Sequence, residues 1–386
     1  MVNFIKKIFG FHTPENNNKY ETHPEAVVIS CFFHSDVTDN NVYRKKNFDL
    51  WYDSIKHMNH RIIECCIGEH RSFMLPESRY IDRIKVNANN GNLWQKEALL
   101  NRVIKTLPQE YKYVFWVDAD VLFSNKKWLT ESVHAMKFEG ATVVQPFAYC
   151  VHMERDEQAK DLQWLQEQKR RVDLKQPVAE RRLWRSFAFN AHQFPSRAKS
   201  FDYDEHGHVG FAWGAQRSLL DRIDGFYDRA IIGGGDHIMA HAFLGHYNHN
   251  CIKKAFVNNT EQIVAWSKRC YDVFKGKMTF VDGDLFHLWH GDLNKRQYLK
   301  RIVETDELVA SVHNDDQGTL TTNDLVLINY IDSYMNDRET IGDDTHGHTH
   351  TPVEFSGGES GGGGAGGSWS SESNSTTTDN SYENFS

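Results

Sequence analysis

The segment YVFWVDADVLF, residues 113–123, decides the fold because it joins an apolar strand to two closely spaced carboxylates. Its first five residues are apolar or aromatic, as is typical of a strand covered on both faces of a sheet. Asp118 and Asp120 follow at the carboxyl end, where ligands of such sheets bind. Two acids on so apolar a segment are costly to bury unless a cation meets them. The pair predicts a divalent metal that holds a diphosphate, although a strand end with an Asp turn cap would give the same residues.

Strand-like and helix-like patterns alternate on both sides of this segment, and the alternation predicts a doubly wound α/β sheet flanked by helices. Apolar runs of strand length occupy 26–33, 61–68, 81–86 and 141–148, and helical periodicity occupies 48–58, 93–107, 126–136, 155–172, 261–274 and 323–336.

We divide the chain into four parts by composition. They are an N-terminal amphipathic segment and linker at 1–24, the main α/β domain at 25–310, a C-terminal helical extension at 311–338, and a tail at 339–386 rich in Gly, Ser and acidic residues. The tail has too few apolar residues to offset the entropy of ordering, so we expect it to stay outside the fold.

Charge argues against a nucleic-acid partner. Eight of the 52 acids lie in the tail, which has no Lys or Arg, and the remaining 44 acids balance the 44 bases. A chain that is neutral over its folded part has no electrostatic footprint for nucleic acid.

The cysteines and the apolar runs bear on the cellular compartment. None of the six cysteines forms a C-x-x-C pair, which favours reduced thiols and a cytoplasmic location. No apolar run approaches the roughly 18 residues that span a bilayer. Residues 2–11 place apolar side chains around two lysines, which fits either peripheral membrane contact or a helix packed on the domain.

Three further groups of residues could carry chemistry. FHLWHGD at 286–292 offers His287 and His290 as metal ligands, although such a pair also occurs as a structural feature. In an extended segment only one of the two should face the metal. IIGGGDH at 231–237 places Asp236 after three glycines that let a ligand approach closely; a carboxylate near a helix N-terminus is also favoured by the dipole alone. Lys96 could meet a phosphate or lie on a solvated helix face.

The order of five motifs resembles that of glycosyltransferases of the GT-A fold, in particular the family-2-like group and the β-1,4-galactosyltransferase type. Between about 26 and 301 the motifs are NLWQKEALLN, FWVDADVLF, GFAWGAQRSLLDRIDGFYD, IIGGGDH and HLWHGD. The resemblance implies a GT-A nucleotide-diphospho-sugar transferase with a Rossmann-like mixed sheet. It also implies Mn²⁺ or Mg²⁺, a nucleotide-sugar donor with a UDP-sugar as first candidate, and a glycan, lipid-linked or protein acceptor.

The same resemblance assigns roles to individual residues. Asp118 would contact the ribose or the metal, Asp120 and His290 would bind the metal, and Asp236 would be the general base of an inverting transfer. The donor site would be completed by Lys96, Asn101, Trp213, Gly234 and Gly235. The three glycines from Gly233 would leave room for the acceptor beside Asp236, which we expect to lie away from the metal pair. The alternative bases are Asp292, Asp202, Asp204 and Glu205.

Two other functions fit parts of the sequence. A haloacid-dehalogenase-like phosphatase would use Asp118 as nucleophile and Asp120 as acid, but its motif belongs on the first strand of the domain. A non-catalytic carbohydrate-binding protein would use Trp213, Trp266 and Trp289 to stack on sugars, and it would need no metal-diphosphate site.

Overall fold

A computed structural model of the protein describes residues 19–35, 41–68, 72–87, 92–153, 183–199, 206–291 and 298–339. The strands in these ranges are β1 (Ala26–Ser35), β2 (His60–Ile67), β3 (Ile81–Val86), β4 (Tyr113–Val117), β5 (Val121–Phe123), β6 (Val143–Gln145), β7 (Tyr149–His152), β8 (Leu183–Arg185), β9 (Ala212–Gln216), β10 (Met278–Phe280), β11 (Asp284–His287), β12 (His313–Asn314) and β13 (Leu320–Thr321). The α-helices are α1 (Asn41–Ile55), α2 (Lys96–Thr106), α3 (Trp128–Phe138), α4 (Phe187–Gln193), α5 (Arg217–Arg222), α6 (Gly235–Phe243), α7 (Asn250–Ala255), α8 (Thr260–Phe274), α9 (Tyr298–Thr305) and α10 (Leu325–Glu339).

Seven strands form the main sheet, in the order β10-β6-β9-β4-β1-β2-β3. All neighbouring pairs are parallel except those of β9, which runs antiparallel to both β4 and β6. The predicted fold class, a mixed α/β sheet flanked by helices, is confirmed.

Strand β4 is buried on both faces because its side chains alternate between two cores. Val114 and Trp116 belong to the core that includes residues of α2, α6 and α8. Phe115 and Val117 belong to the core that includes residues of α1 and α3. The continuous apolar run of the sequence follows from this burial on two sides.

The chain leaves the main sheet directly after β4 and enters a second sheet of order β5-β11-β7-β8. Strand β5 pairs antiparallel with β11, so that Val121 lies opposite His287 and Leu122 opposite Phe286. The three residues between β4 and β5, Asp118 to Asp120, therefore lie where the two sheets meet.

Some elements differ from the sequence predictions. The strand expected at 141–148 is two strands, β6 and β7, which belong to different sheets. Residues 311–338 form a hairpin, β12–β13, and helix α10, and Leu320, Leu327 and Ile331 are part of the same core as β1. The helix expected at 155–172 and the membrane contact expected at 2–11 lie outside the described residues, as does the tail from 340 onward.

Two further findings concern the cysteines and the helices. Five cysteines, at positions 31, 65, 66, 150 and 270, are free thiols. Among the described helices, none has both the length and the apolar character needed to cross a membrane.

Candidate functional site

The two carboxylates of the D-x-D segment point to different partners. Asp118 Oδ1 lies 2.7 Å from Lys96 Nζ, at the first residue of α2. The same Lys96 Nζ lies 2.9 Å from Asp236 Oδ2, in the first turn of α6. One ammonium therefore joins the end of β4 to the start of α6.

A lysine at a helix N-terminus is opposed by the helix dipole, and Lys96 is also largely buried, with 9% of its side chain exposed. Burial would lower its pKa, but the carboxylates of Asp118, Asp236 and Glu97 raise the pKa well above its ordinary value. Lys96 therefore stays charged, and the interpretation of Lys96 as part of a solvated helix face is wrong.

Two of the acids near Lys96, Asp118 and Glu97, have raised pKa values. Burial raises the pKa of Asp118 to about 7, and the Asp236 and Asp120 carboxylates add to the shift while Lys96 opposes it. Burial likewise raises the pKa of Glu97 to about 8, against the effect of Lys96. Titratable groups displaced this far towards neutrality mark candidate functional sites.

Asp120 belongs to a different cluster. Its Oδ2 lies 3.2 Å from His290 Nε2 and 3.6 Å from His287 Nε2. Burial would raise the pKa of Asp120, but its interactions with His287 and His290 hold the pKa well below the usual range. One ligand atom from each of these residues lies within 4.8 Å of the other two.

Both histidines face Asp120, although the period of an extended segment would point only one of the two to this side. The antiparallel register brings His287 beside β5, and β11 ends there. The Leu288 amide then donates to the Asp120 carbonyl at 2.8 Å. Because the segment is no longer an extended strand after His287, the period-two argument does not reach His290.

The ring of His287 is fixed from behind by two aromatic side chains. Its Nδ1 lies 3.0 Å from Nδ1 of His152, on the neighbouring strand β7. Its ring also stacks on Phe211, with centroids 4.7 Å apart.

Phe211 has a left-handed backbone conformation, with φ of 81°. For a bulky residue this conformation costs on the order of 1–3 kcal/mol and persists only where the surroundings enforce it. The Phe211 carbonyl accepts a hydrogen bond from the Asp118 amide at 2.7 Å. The strained residue thus supports both halves of the D-x-D segment, through its backbone on one side and its ring on the other.

The cluster of Asp120, His287 and His290 fits a divalent transition metal. Asp120 Oδ1 is buried and has no hydrogen-bond partner among the described residues, so a carboxylate oxygen is available at the cluster. Two imidazoles with one carboxylate suit Mn²⁺ and its heavier neighbours better than Mg²⁺, which prefers oxygen ligands. Asp118 is not part of the cluster and is paired with Lys96 instead.

The glycines before Asp236 do not leave the room that the sequence suggests. A Cβ at Gly235 would overlap the Glu97 carboxyl, and a Cβ at Gly233 would lie 2.9 Å from the Arg301 guanidinium. Gly233 and Gly234 have φ of 98° and 96°, the left-handed region that glycine adopts without strain. At Gly233 and Gly235 the missing side chains make room for the protein's own groups.

Asp236 also lies closer to the D-x-D segment than expected, since it shares Lys96 with Asp118. Asp236 Oδ1, the oxygen that does not face Lys96, is buried and has no hydrogen-bond partner in the described part of the chain.

Two residues expected at the donor site have structural roles. Asn101 Nδ2 donates to the Phe226 carbonyl at 2.9 Å, and Asn101 Oδ1 accepts from the Phe226 amide at 2.7 Å. Trp213 is fully buried, and its indole N–H donates to the Val209 carbonyl at 2.8 Å. Both side chains are therefore engaged in contacts within the protein, which do not support a donor-binding role for them. Trp266 is buried as well, which removes it as a platform for stacking on sugars.

A pocket lies at the carboxyl ends of β1 and β2, where Phe33, His34 and Ile67 line it. Phe33 and Trp94 form one wall with their rings edge to face at 5.0 Å. The Trp94 amide donates to the Ile231 carbonyl at 2.8 Å, which connects the pocket to the glycine segment. Arg44 and Tyr334 complete the lining.

Sequence reasoning assigned no role to Glu97, His152 or Phe211, and it did not expect His287 and His290 to lie beside Asp120 together. The sequence favours burial of Glu97, because the residues that follow it in the first turn of the helix are apolar. His152 and Phe211 gave no signal, because their roles depend on pairing between distant strands. The alternative bases Asp202, Asp204, Glu205 and Asp292 lie outside the described residues.

No protein-family model matches the chain, and no curated protein is similar to it. Several solved structures of glycosyltransferases are similar at low scores. The glucosyl-3-phosphoglycerate synthase of M. tuberculosis has 10% identity and a TM-score of 0.30, with 74% of this chain and 80% of that chain covered. A mannosyltransferase from Pyrobaculum calidifontis, solved with GDP-Man and Mn²⁺, has 10% identity, a TM-score of 0.30 and coverage of 87% and 95%. The catalytic domain of Drosophila β1,4-galactosyltransferase 7 has 9% identity, a TM-score of 0.30 and coverage of 80% and 98%. At such scores, any function must rest on the residues of the site.

Proposed function

We propose that the protein is a metal-dependent glycosyltransferase that moves a sugar from a nucleotide-sugar donor to a hydroxyl acceptor. One observation carries the proposal. The two acids of the D-x-D segment are divided between a metal-binding set, Asp120 with His287 and His290, and a carboxylate–lysine–carboxylate bridge, Asp118–Lys96–Asp236. A transferase of this class needs both a site for the leaving diphosphate and a separate carboxylate for the acceptor.

The donor would bind across the pocket and the Asp120 cluster. Ligands of open α/β sheets bind beyond the carboxyl ends of the strands, and the pocket lies there, at β1 and β2. Its aromatic and apolar lining suits a nucleoside, with a UDP-sugar as the first donor to test. The diphosphate would then extend towards the end of β4.

Asp120, His287 and His290 would hold a divalent ion, with Mn²⁺ favoured over Mg²⁺ by the two imidazoles. Such an ion supplies neutralisation of the charge that develops on the leaving diphosphate. The contribution of the chain itself is to orient these three ligands through the β5–β11 register and the His152 contact.

Asp236 would be the general base, chosen among the acids that the structure describes. Lys96 holds its Oδ2 at 2.9 Å, which fixes the carboxylate and leaves Oδ1 for the acceptor hydroxyl. An acceptor hydroxyl within hydrogen-bond reach of Oδ1 would give its proton to Asp236 as it attacks the sugar. A single base on the acceptor side corresponds to inversion at the anomeric carbon. The acceptor would be a glycan, a lipid-linked sugar or a protein. A cytoplasmic location and membrane contact through residues 2–11 belong to the same proposal.

The test is a screen of nucleotide sugars for donor hydrolysis and transfer, with Mn²⁺, with Mg²⁺ and with chelator. We expect Mn²⁺-dependent nucleotide diphosphate release with at least one donor, and loss of donor binding in Asp120→Asn. The anomeric configuration of the product, read by NMR, tests inversion. Metal-dependent release of inorganic phosphate from a simple phosphomonoester, without sugar transfer, would replace the proposal with the phosphatase. Sugar binding with neither activity would favour the non-catalytic protein.

A further inference from the structure

Helix α6, whose first turn carries Asp236, also carries two buried histidines on one face. His237 and His241 are four residues apart, so they lie on the same side of the helix, and their ring centroids are 4.7 Å apart. His206, which precedes β9, lies 5.5 and 5.4 Å from these two rings. One nitrogen from each of the three residues lies within 4.8 Å of the other two.

We propose that His206, His237 and His241 form a second metal site, separate from the Asp120 cluster, for a transition-metal dication of the Zn²⁺ class. The donor set consists of three imidazole nitrogens and no carboxylate, which suits Zn²⁺ and disfavours Mg²⁺ and Ca²⁺. Zinc is commonly held by three protein ligands with a fourth position open to water.

The three rings lie together in the interior of the protein. His206, His237 and His241 are each at most 2% exposed, so an ion held between them would be enclosed by protein.

The tautomer of His206 is fixed in the form that a ligand needs. Its Nδ1 lies 2.8 Å from the Gly207 carbonyl, and a carbonyl can only accept a hydrogen bond. Nδ1 therefore carries the proton, and the lone pair is on Nε2. Metal-ligating histidines are typically oriented in this way by a carbonyl behind the ring.

The spacing of the rings allows a metal with small adjustments. Zn–N distances of about 2.0–2.1 Å in tetrahedral geometry place ligand nitrogens roughly 3.4 Å apart. The three nitrogens are already within 4.8 Å of one another, so side-chain rotations that move each nitrogen by about an ångström would bring them to the spacing of a zinc site. A bound ion would tie α6 to the segment that enters β9. Asp236 directly precedes His237, so this site would fix the helix that carries the candidate base.

The alternative is that the three rings only fill space. Phe187 packs edge-on against His206 and His241, with centroids 5.6 and 5.3 Å away, as it would in an aromatic core. The two possibilities differ in whether the full-length protein binds zinc through these rings.

The experiment measures zinc affinity by competition with a chromophoric chelator, in full-length Asp120→Asn protein stripped of metal. This background removes the carboxylate of the first cluster, and the tail histidines His346, His348 and His350 are common to all variants. We expect one tight zinc, and a loss of affinity of at least about 100-fold when His241→Gln is added, more than the 10–100-fold typical of residues behind a ligand. The control is His134→Gln, at an exposed histidine paired with Glu139, which should change nothing.

A second measurement does not depend on the folding of His241→Gln. Cobalt-loaded Asp120→Asn protein should show the visible absorption of tetrahedral Co²⁺, and X-ray absorption at zinc should show three imidazoles. Tight zinc that persists in His241→Gln, or a zinc environment dominated by oxygen, would overturn the proposal. The absence of any tight zinc in the Asp120→Asn background would overturn it equally.

Discussion

Asp118 and Asp120 are two residues apart on one turn, yet their surroundings shift the pKa values of the two carboxyls in opposite directions. Asp118 is paired with Lys96, but burial raises its pKa to about 7 against the effect of that lysine. Asp120 faces two histidines, and its pKa is held well below its usual range. The difference arises because one acid belongs to the end of the main sheet and the other to the start of the second sheet. In this protein the D-x-D spacing therefore places one acid beside Lys96 and the other beside His287 and His290.

Asp236, the second acid that pairs with Lys96, gives the most direct test of how the two sides differ. If Asp236 is the base, Asp236→Asn should lower the transfer rate by about 10²–10⁴-fold, while donor and metal affinity stay close to wild type because the Asp120 cluster is intact. Single-turnover rates and donor titrations separate the two effects. Asp272→Asn, at an exposed acid paired with Lys275, is the matched control. A drop in donor affinity with an unchanged rate would assign Asp236 to the donor side.

Removing the Lys96 ammonium should destabilise the pair Asp118 and Asp236 and leave the Asp120 cluster intact. Lys96→Met leaves two close, partly buried carboxylates without their partner, and breaking a buried pair costs about 3–5 kcal/mol. We expect a loss of this order in the free energy of unfolding at neutral pH, measured by urea denaturation. Lys56→Met removes an exposed lysine from Asp53 and should cost less than about 1 kcal/mol. Equal losses in the two variants would show that the bridge is not a special feature.

The Asp120 side can be weakened without touching a proposed ligand. His152→Phe keeps a ring against Trp184 but removes the nitrogen that lies 3.0 Å from His287. We expect Mn²⁺ affinity to fall about 10–100-fold, as for other residues that orient a ligand. The control is His60→Phe, at a buried histidine bonded to the Met58 carbonyl at the amino end of β2. Unchanged Mn²⁺ affinity in His152→Phe would contradict the positioning role.

Local sequence patterns predict the parts of this site that lie on single elements. The apolar run of β4 and the acids after it could be read directly, because both depend on neighbours in sequence. The division of Asp118 from Asp120 could not, because it depends on the β5–β11 register and on a lysine that precedes Asp118 by more than twenty residues. The internal contacts of Asn101 and Trp213 could not be predicted either, because a polar or aromatic side chain in a motif carries no signal of its burial. The glycines before Asp236 were recognised as special, but Gly233 and Gly235 accommodate Arg301 and Glu97, not an acceptor.

The smallest expected effect concerns Glu97. Like Asp118, this acid has a raised pKa and lies near Lys96. In the unfolded chain this carboxyl loses its proton near its ordinary pKa of 4.5, whereas burial keeps the proton on in the folded state up to about pH 8. Between these values the folded state binds more protons than the unfolded state, so the contribution of Glu97 to stability falls as pH rises, by at most about 1.4 kcal/mol per pH unit.

Glu97→Gln removes this titration while it preserves the shape beside Gly235. The variant should therefore gain stability relative to wild type as pH rises from about 5 to 8, with a constant difference above that range. Urea denaturation at intervals of half a pH unit measures the trend, and the contribution of Asp118 is common to both proteins. Glu110→Gln, at an exposed position, should give a flat difference. A flat difference for Glu97→Gln as well would mean that Glu97 is ionised in the folded protein, and that Lys96 then neutralises three carboxylates instead of two.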